Sequence, residues 1–405
     1  MARIPYPAIG GDRIRAYNMI KMLQEKYELH VVLVTDEEVA QDCIDFLETN
    51  VAGYKIFKST TLNFYWNSFK GIFSLKPLQV KYYHNNAAAR YCRQEIKKDD
   101  IVVVHTIRMS GLVWSHDCYK VLDLVDSIYM NYLRSKYKVR SFFWKTIYFV
   151  EEKRLYKYEI ASAKRFNKIL LVNEDEKNFI ETESGSSNIV FLPNGVNEEL
   201  LERPIPEYNY FDIRSFSVCF LGKMNYQPNV DAVMWFANNV LPLNNNLKFY
   251  IIGTSPVKKV LDLELQFPGQ VIVTGLVEDP YKIMSNTLAL VAPMQTGGGI
   301  QNKILEAMSI GTVVLTTSLG AKPIQGAVHK KHLLICNSPQ EYYKTILKLK
   351  DNNKTLRQIT KNAKALIKHR YTWQLYKDKL LNMLESIYKK ENAAPRIKSS
   401  LEQTV

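Results

Sequence analysis

The chain has 405 residues, 46% hydrophobic and 23% charged, with 54 Lys and Arg against 40 Asp and Glu for a formal net charge of +14. That apolar fraction is ordinary for a globular protein and excludes a disordered, collagen-like or coiled-coil chain, while the length points to two domains. The basic surplus leaves three classes of anionic partner open: nucleic acid, a membrane surface or a phosphorylated small molecule.

From the start, Met1 to Pro7 lack the apolar run of a secretory leader, so a cytoplasmic protein is expected. The Gly10-Gly11 pair opens a helix with apolar residues at helical spacing up to Leu23, and Asp12 is the expected N-cap. An apolar run at 29–34 reads as a strand, 37–49 as a helix, and further strands fall at 101–104, 120–125 and 169–172. Short β-branched runs between helices predict a parallel sheet covered on both faces. A doubly wound domain has a strand before its glycine turn; only Ile4 and its neighbours precede Gly10, so that first strand is expected to be short or missing.

Past Pro193-Asn194-Gly195 a proline- and charge-rich stretch predicts a linker over 198–214, separating a domain at 1–197 from one at 215–370. The second half repeats the alternation, with strands at 216–221, 248–252, 271–273, 288–292, 313–315 and 333–335 and helices at 339–350, 352–368 and 372–391. Residues 371–391 are expected to form a helix returning to the first domain, and the polar tail 392–405 to be disordered. Cys43, Cys92, Cys118, Cys219 and Cys336 are odd in number, with no C-x-x-C, which predicts buried thiols rather than a disulfide framework or a zinc site.

The chain has no dinucleotide G-x-G-x-x-G turn, no G-x-x-x-x-G-K-[ST] phosphate loop, no G-x-S-x-G elbow and no Asp-x-Asp pair, which weakens dehydrogenase, NTPase and hydrolase readings. Its densest signal runs from Pro293 to Met308. There Gly297, Gly298 and Gly299 follow a strand and open a helix, where backbone amides and the helix N-terminus favour an anion. Lys303 adds a point charge in the first turn, and Glu306, one turn on, is placed to accept two hydroxyl hydrogen bonds from a ribose. A flexible glycine loop with an ordinary surface Lys and Glu is the alternative.

This stretch, Gly-Gly-Gly-Ile-x-x-Lys-Ile-Leu-Glu-Ala-Met-x-x-Gly-x-Val-Val, resembles the donor-site signature of the retaining, GT-B fold glycosyltransferases of family 4 (group 1). Gly10-Gly11, Pro193-Asn194-Gly195-Val196-Asn197, Gly222-Lys223 and the segment from Tyr226 to Phe236 resemble that family's other elements, in order, up to about residue 390. The last is similar to a bacterial subgroup associated with cell-surface polysaccharides. The resemblance implies two facing Rossmann-like domains, the second binding a UDP- or GDP-sugar and the first an acceptor. It implies that Glu306 holds the donor ribose and Lys223 neutralises the diphosphate, with no metal and no further cofactor. Gly10 and Gly11 would face the diphosphate or acceptor, and His105 the donor sugar. Ile300 belongs to the donor loop and Val277 is expected near the base. Arg13, Arg15 and Asp126 are acceptor-side candidates; Asp126 competes with a role as helix cap. Two positions depart from the family pattern: Gly298 stands where a second glutamate is common, and Pro228 where a lysine is common. Lys303 is read as the substitute cation.

The charge concentrates between Arg134 and Lys168, where eleven Lys and Arg interleave with aromatics against Glu151, Glu152 and Glu159. Such a segment suits an anionic lipid surface, single-stranded nucleic acid, or an ordinary amphipathic helix with solvated lysines. The expected function is transfer of a sugar from a nucleotide sugar to a glycan acceptor, lipid-linked and at the inner membrane face. A basic nucleic-acid-binding protein or another GT-B enzyme, such as a nucleotide-sugar epimerase, is the alternative.

Overall fold

The computed structural model describes residues 1–8, 10–72, 74–135, 142–205, 216–297, 299–351 and 353–393. In the first half, β1 (His30–Thr35) and β2 (Gly53–Lys58) form a parallel pair. The strands β3 (Ile101–His105), β4 (Tyr119–Val125), β5 (Lys168–Leu171) and β6 (Ile189–Phe191) form a parallel sheet in that order. The central strands are the apolar runs of the sequence because both faces are covered; Val121, Leu122, Ile169 and Leu170 are fully buried. β2 and β6 escape a periodicity reading, β2 because it is only partly buried and β6 because it has three residues.

No strand is assigned to residues 1–8. The Met1 amine nevertheless donates to Val32 O at 2.7 Å and its carbonyl accepts from Val34 N at 3.1 Å, so this segment lies along β1. Ala2 packs there with Val34 and Val104. The helix that follows, Gly11–Leu23, is entered through Gly10 rather than Asp12, which falls on its second residue. Gly10 has φ +106°, a conformation a glycine takes without steric cost, and its carbonyl accepts from Ile14 N at 2.9 Å.

The second half holds six parallel strands: β7 (Ser217–Leu221), β8 (Lys248–Ile252), β9 (Val271–Gly275), β10 (Ala289–Ala292), β11 (Val314–Thr316) and β12 (Leu334–Ile335). Their order is β12-β11-β10-β7-β8-β9, which places the topological switch between β10 and β7. The stretch read as a linker begins as a helix, Glu198–Glu202, whose Leu200 is buried in the core of the second half. Residues 206–215 and the tail 394–405 lie outside the described residues. The last helix, Trp373–Ala393, packs Tyr376, Leu380 and Leu384 onto Met19, Met22, Val121 and Leu170 of the first half. Its entry is tied by Val196 N to Tyr371 O at 2.8 Å, and a Cβ on Gly195 would fall 2.3 Å from Trp373 N, so that crossing requires glycine. All five cysteines are free thiols.

Candidate functional site

In an open parallel sheet the crevice beyond the carboxyl ends of the strands, at the switch point, is where ligands bind. Here Gly222 and Lys223 end β7, and Pro293 to Gly297 end β10. The β7 and β8 ends approach closely enough that a Cβ on Gly253 (φ +143°) would fall 1.8 Å from Gly222 O. The Lys223 carbonyl accepts from Asn229 Nδ2 at 3.0 Å, which fixes the loop while its own side chain stays partly exposed. Pro228, where the family's second lysine was sought, opens the helix Gln227–Asn239.

The glycine loop enters the helix Asn302–Ser309 with Gln301 at the N-cap. Gly297 has φ +91°, and Gly298 lies outside the described residues. Ile300 packs on the edge of the second core. Lys303 is not a surface lysine: it is buried, its Nζ donates to Asn229 Oδ1 at 3.0 Å and Gln301 Oε1 at 3.1 Å, and it lies 5.0 Å from the Phe220 ring centroid. Burial lowers its pKa to about 8, against the nearby Glu306 charge. Burial raises Glu306 to about 7, opposed by Lys303 and by a hydrogen bond from Tyr281. Both groups therefore change protonation near neutral pH, as functional groups in clefts often do. Val277 follows β9 and packs on the same core. Asp279, two residues on, caps the helix Pro280–Ser285 and pairs with Arg203 at 3.0 Å.

The facing wall comes from the first half. His105 ends β3 and is paired in register with Asp123 on β4. Its Nδ1 lies 2.8 Å from Asp123 Oδ2, and both are buried. Burial would raise the Asp123 pKa, but Arg15 and the His105 contact hold it down to about 2. An ionised carboxylate only accepts, so Nδ1 carries the proton and the ring orientation is fixed.

Arg15 does not face an acceptor. It is fully buried, with Nε 2.9 Å from both Asp123 oxygens and Nη2 2.7 Å from Oδ1. Its Nη1 donates to Leu192 O and Asn194 Oδ1, both at 2.9 Å, and its guanidinium lies 4.9 Å from the Tyr376 ring centroid. The same Asn194 donates through Nδ2 to Asn302 Oδ1 at 3.1 Å, and a Cβ on Gly11 would sit 3.8 Å from Asn302 Nδ2. A continuous chain of polar contacts thus runs from His105 through Asp123, Arg15 and Asn194 to the first turn of the helix Asn302–Ser309. Gly11 faces that same helix start.

Asp126 also reaches the cleft: a Cβ on Gly299 would lie 3.7 Å from its Oδ2. The cap of the helix Ile128–Ser135 is Ser127 instead, whose Oγ accepts from Met130 N at 3.1 Å and donates to Glu159 Oε2 at 2.6 Å. Arg13, with Arg3, pairs with Glu37. Sequence reasoning paired neither Arg15 with Asp123 nor Asn194 with Asn302; a buried Arg–Asp pair has no periodic signature.

The basic segment resolves into several surroundings. Residues 136–141 lie outside the described residues. Tyr158 and Phe166 are core, the first stacked on Trp114 with centroids 4.5 Å apart. Phe149, Lys153 and Lys157 are exposed on the helix Phe142–Arg165. Among the described residues no helix is long and apolar enough to cross a membrane, and no group of three His, Cys, Asp or Glu is placed to hold a metal.

Residues 215–352 match the family model of group 1 glycosyl transferases. The whole fold is similar to sucrose-phosphate synthase from Thermosynechococcus elongatus (TM-score 0.66, 14% identity, 95% of this chain and 97% of that one). It is also similar to HepE from Anabaena in complex with UDP and glucose (TM-score 0.63, 13% identity, 93% and 96% covered). In sequence it is 24% identical, over 91% of this chain and 94% of the relative, to an uncharacterised protein of the cps region of Klebsiella pneumoniae.

Proposed function

We propose that this chain, a glycosyltransferase of GT-B fold with a group 1 domain at 215–352, moves a sugar from a UDP- or GDP-sugar to a hydroxyl of a glycan acceptor, with retention of anomeric configuration. The observation that carries the reading is the meeting of the two halves at the glycine loop of the β7–β10 switch, where Asn194 bonds Asn302 and Asp126 approaches Gly299. The UDP and glucose held by HepE support the donor class. The cps region of the Klebsiella relative supports a cell-surface polysaccharide as product. In this reading residues 215–370 take the donor and 1–197 the acceptor, which is lipid-linked, so the enzyme works as a peripheral protein on the inner membrane face.

Departure of the nucleoside diphosphate leaves negative charge on its outer phosphate and positive character on the anomeric carbon. Lys223, Lys303 and the first amides of the Asn302–Ser309 helix stabilise the former, in a cleft where fixed dipoles need no reorganisation. Lys303 acts from beneath the loop, and this cationic floor does the work without a metal ion. Glu306, ionised, accepts the ribose hydroxyls. His105, its Nδ1 proton held by Asp123, lies on the wall that this reading sets beside the donor sugar. The departing phosphate takes the acceptor proton on the same face. Asp126, beside Gly299, lies where the acceptor meets the donor loop.

A thermal-shift panel of UDP, GDP, ADP and their glucose esters, with and without EDTA, tests the donor class. One nucleoside diphosphate and its sugars should raise the melting temperature selectively and regardless of EDTA. Absence of a shift with every nucleotide would overturn the assignment.

A further inference from the structure

On the first half of the chain, the helix Thr61–Ile72 turns its apolar side to solvent. Leu62, Tyr65, Trp66, Phe69 and Ile72 recur at i, i+3, i+4, i+7 and i+10, a single stripe of an α-helix, and each is between 50% and 80% exposed. The opposite side is the one that packs: Phe64 is fully buried against Tyr82 and Tyr83, and Gly71 sits against Leu78 and Lys81. The stripe is therefore no misplaced core. Leu75, 96% exposed, extends it. Phe149 and Val150, on the helix Phe142–Arg165, are exposed as well. Arg154 of that helix donates to the carbonyls of Gly71 and Ile72 at 3.4 and 2.6 Å, which holds the two helices together.

Charge indicates what covers this surface. From Thr60 to Gln94 the chain holds no Asp or Glu, while Lys70, Lys76, Lys81, Arg90 and Arg93 fall in the same span. Lys70 Nζ lies 5.3 Å from the Trp66 ring centroid and Lys153 Nζ 4.3 Å from that of Phe149, so cations rim the aromatic stripe. Exposed aromatics beside lysines match the interface of a bilayer with anionic headgroups, where rings sit at headgroup level and ammonium groups meet phosphate. An exposed apolar patch of this kind on a soluble domain marks an interaction site.

We infer that the Thr61–Ile72 stripe, with Lys70 and Lys153 at its rim, is the element that enters the surface of an anionic bilayer. It deepens the membrane-side reading proposed above and moves the apolar contact from the 134–168 segment to residues 62–72 with Leu75, leaving that segment the supply of cations. On the membrane this edge brings the acceptor-binding half against the lipid in which a lipid-linked acceptor would lie.

The test is co-sedimentation of the full chain with vesicles of phosphatidylcholine alone or of equal parts phosphatidylcholine and phosphatidylglycerol. The wild type should bind the anionic vesicles, and Trp66→Ser/Phe69→Ser should bind at least about tenfold more weakly, given the apolar surface removed. Both side chains are about half exposed, so unchanged thermal unfolding in the variant shows that the fold is intact. Quenching of tryptophan emission by brominated lipid should fall in Trp66→Phe while sedimentation persists. Undiminished binding of the double variant would overturn the assignment of this helix and leave membrane association standing. Absence of binding to either vesicle would overturn both. A wild-type dimer in solution that the double variant abolishes would identify the occupant as a second copy and overturn the lipid assignment.

Discussion

Arg15 gives the sharpest test of the wall proposed to lie beside the donor. Replacing it with Met keeps most of the side-chain volume against Tyr376 but removes every hydrogen bond to Asp123, Leu192 O and Asn194. Asp123 is then a buried carboxylate whose remaining partner is the His105 contact, and breaking such a pair from one side costs about 3–5 kcal/mol. Urea unfolding should show a loss of that size. The carboxylate relieves part of the penalty by taking up a proton, which ends its capacity to fix the His105 tautomer, so turnover should fall further than donor affinity. Adding Asp123→Asn removes the stranded charge and should return about 2 kcal/mol or more of the loss, because deleting both members of a buried pair is often close to neutral. Arg15→Lys should not restore the wild type, since an ammonium cannot make the forked contacts. A loss below about 1 kcal/mol for Arg15→Met, or no recovery in the double variant, would refute the reasoning.

Asn194→Ala and Asn302→Ala each remove a contact between the two halves; Asn302→Ala should cost about 1 kcal/mol of coupling, Asn194→Ala more because it also strips a partner from Arg15, and the double variant should be no worse than Asn194→Ala alone, measured as turnover with the donor that the panel identifies. Nucleotide binding should peak between about pH 7 and 8, because Glu306 becomes protonated below that window and Lys303 loses its charge above it; calorimetry across pH checks this, and Glu306→Gln should flatten the acid limb. Burial raises Glu159 from 4.5 to about 8. The folded state then holds a proton that the unfolded state has lost, so stability should fall as pH rises through that interval, and Glu159→Gln should reduce the slope in urea unfolding.

How much of this was legible beforehand follows from what leaves a pattern in one dimension. The central strands were legible because a strand buried on both faces is an uninterrupted apolar run, as at 169–171 and 289–292. Edge strands such as Gly53–Lys58 were not, since a half-exposed strand carrying Lys55 and Lys58 blurs into its surroundings. The glycine loop with Lys303 and Glu306 was visible through local spacing, and the structure brings both to the β7–β10 crevice. Their burial was not, because it depends on Asn229, Phe220 and Tyr281 arriving from elsewhere in the chain. Arg15 was misread for the same reason. One turn past two glycines on a helix it looks like a surface arginine, and only the tertiary fold sets it against Asp123, 108 residues away. The exposed stripe at 62–72 illustrates the opposite limit: helical spacing alone does not say which way an apolar side points, and only the tertiary fold turns this one outward.

The central claim is that a nucleoside diphosphate binds at the β7–β10 crevice on Lys223 and Glu306. Titration calorimetry of UDP and GDP into the wild type, Lys223→Ala and Glu306→Ala tests it most directly. The account predicts measurable binding of one nucleotide, weakened at least about tenfold in each variant, as expected for the loss of a charged contact in a partly enclosed site. Equal affinity in all three proteins, or no binding of either nucleotide, would contradict it.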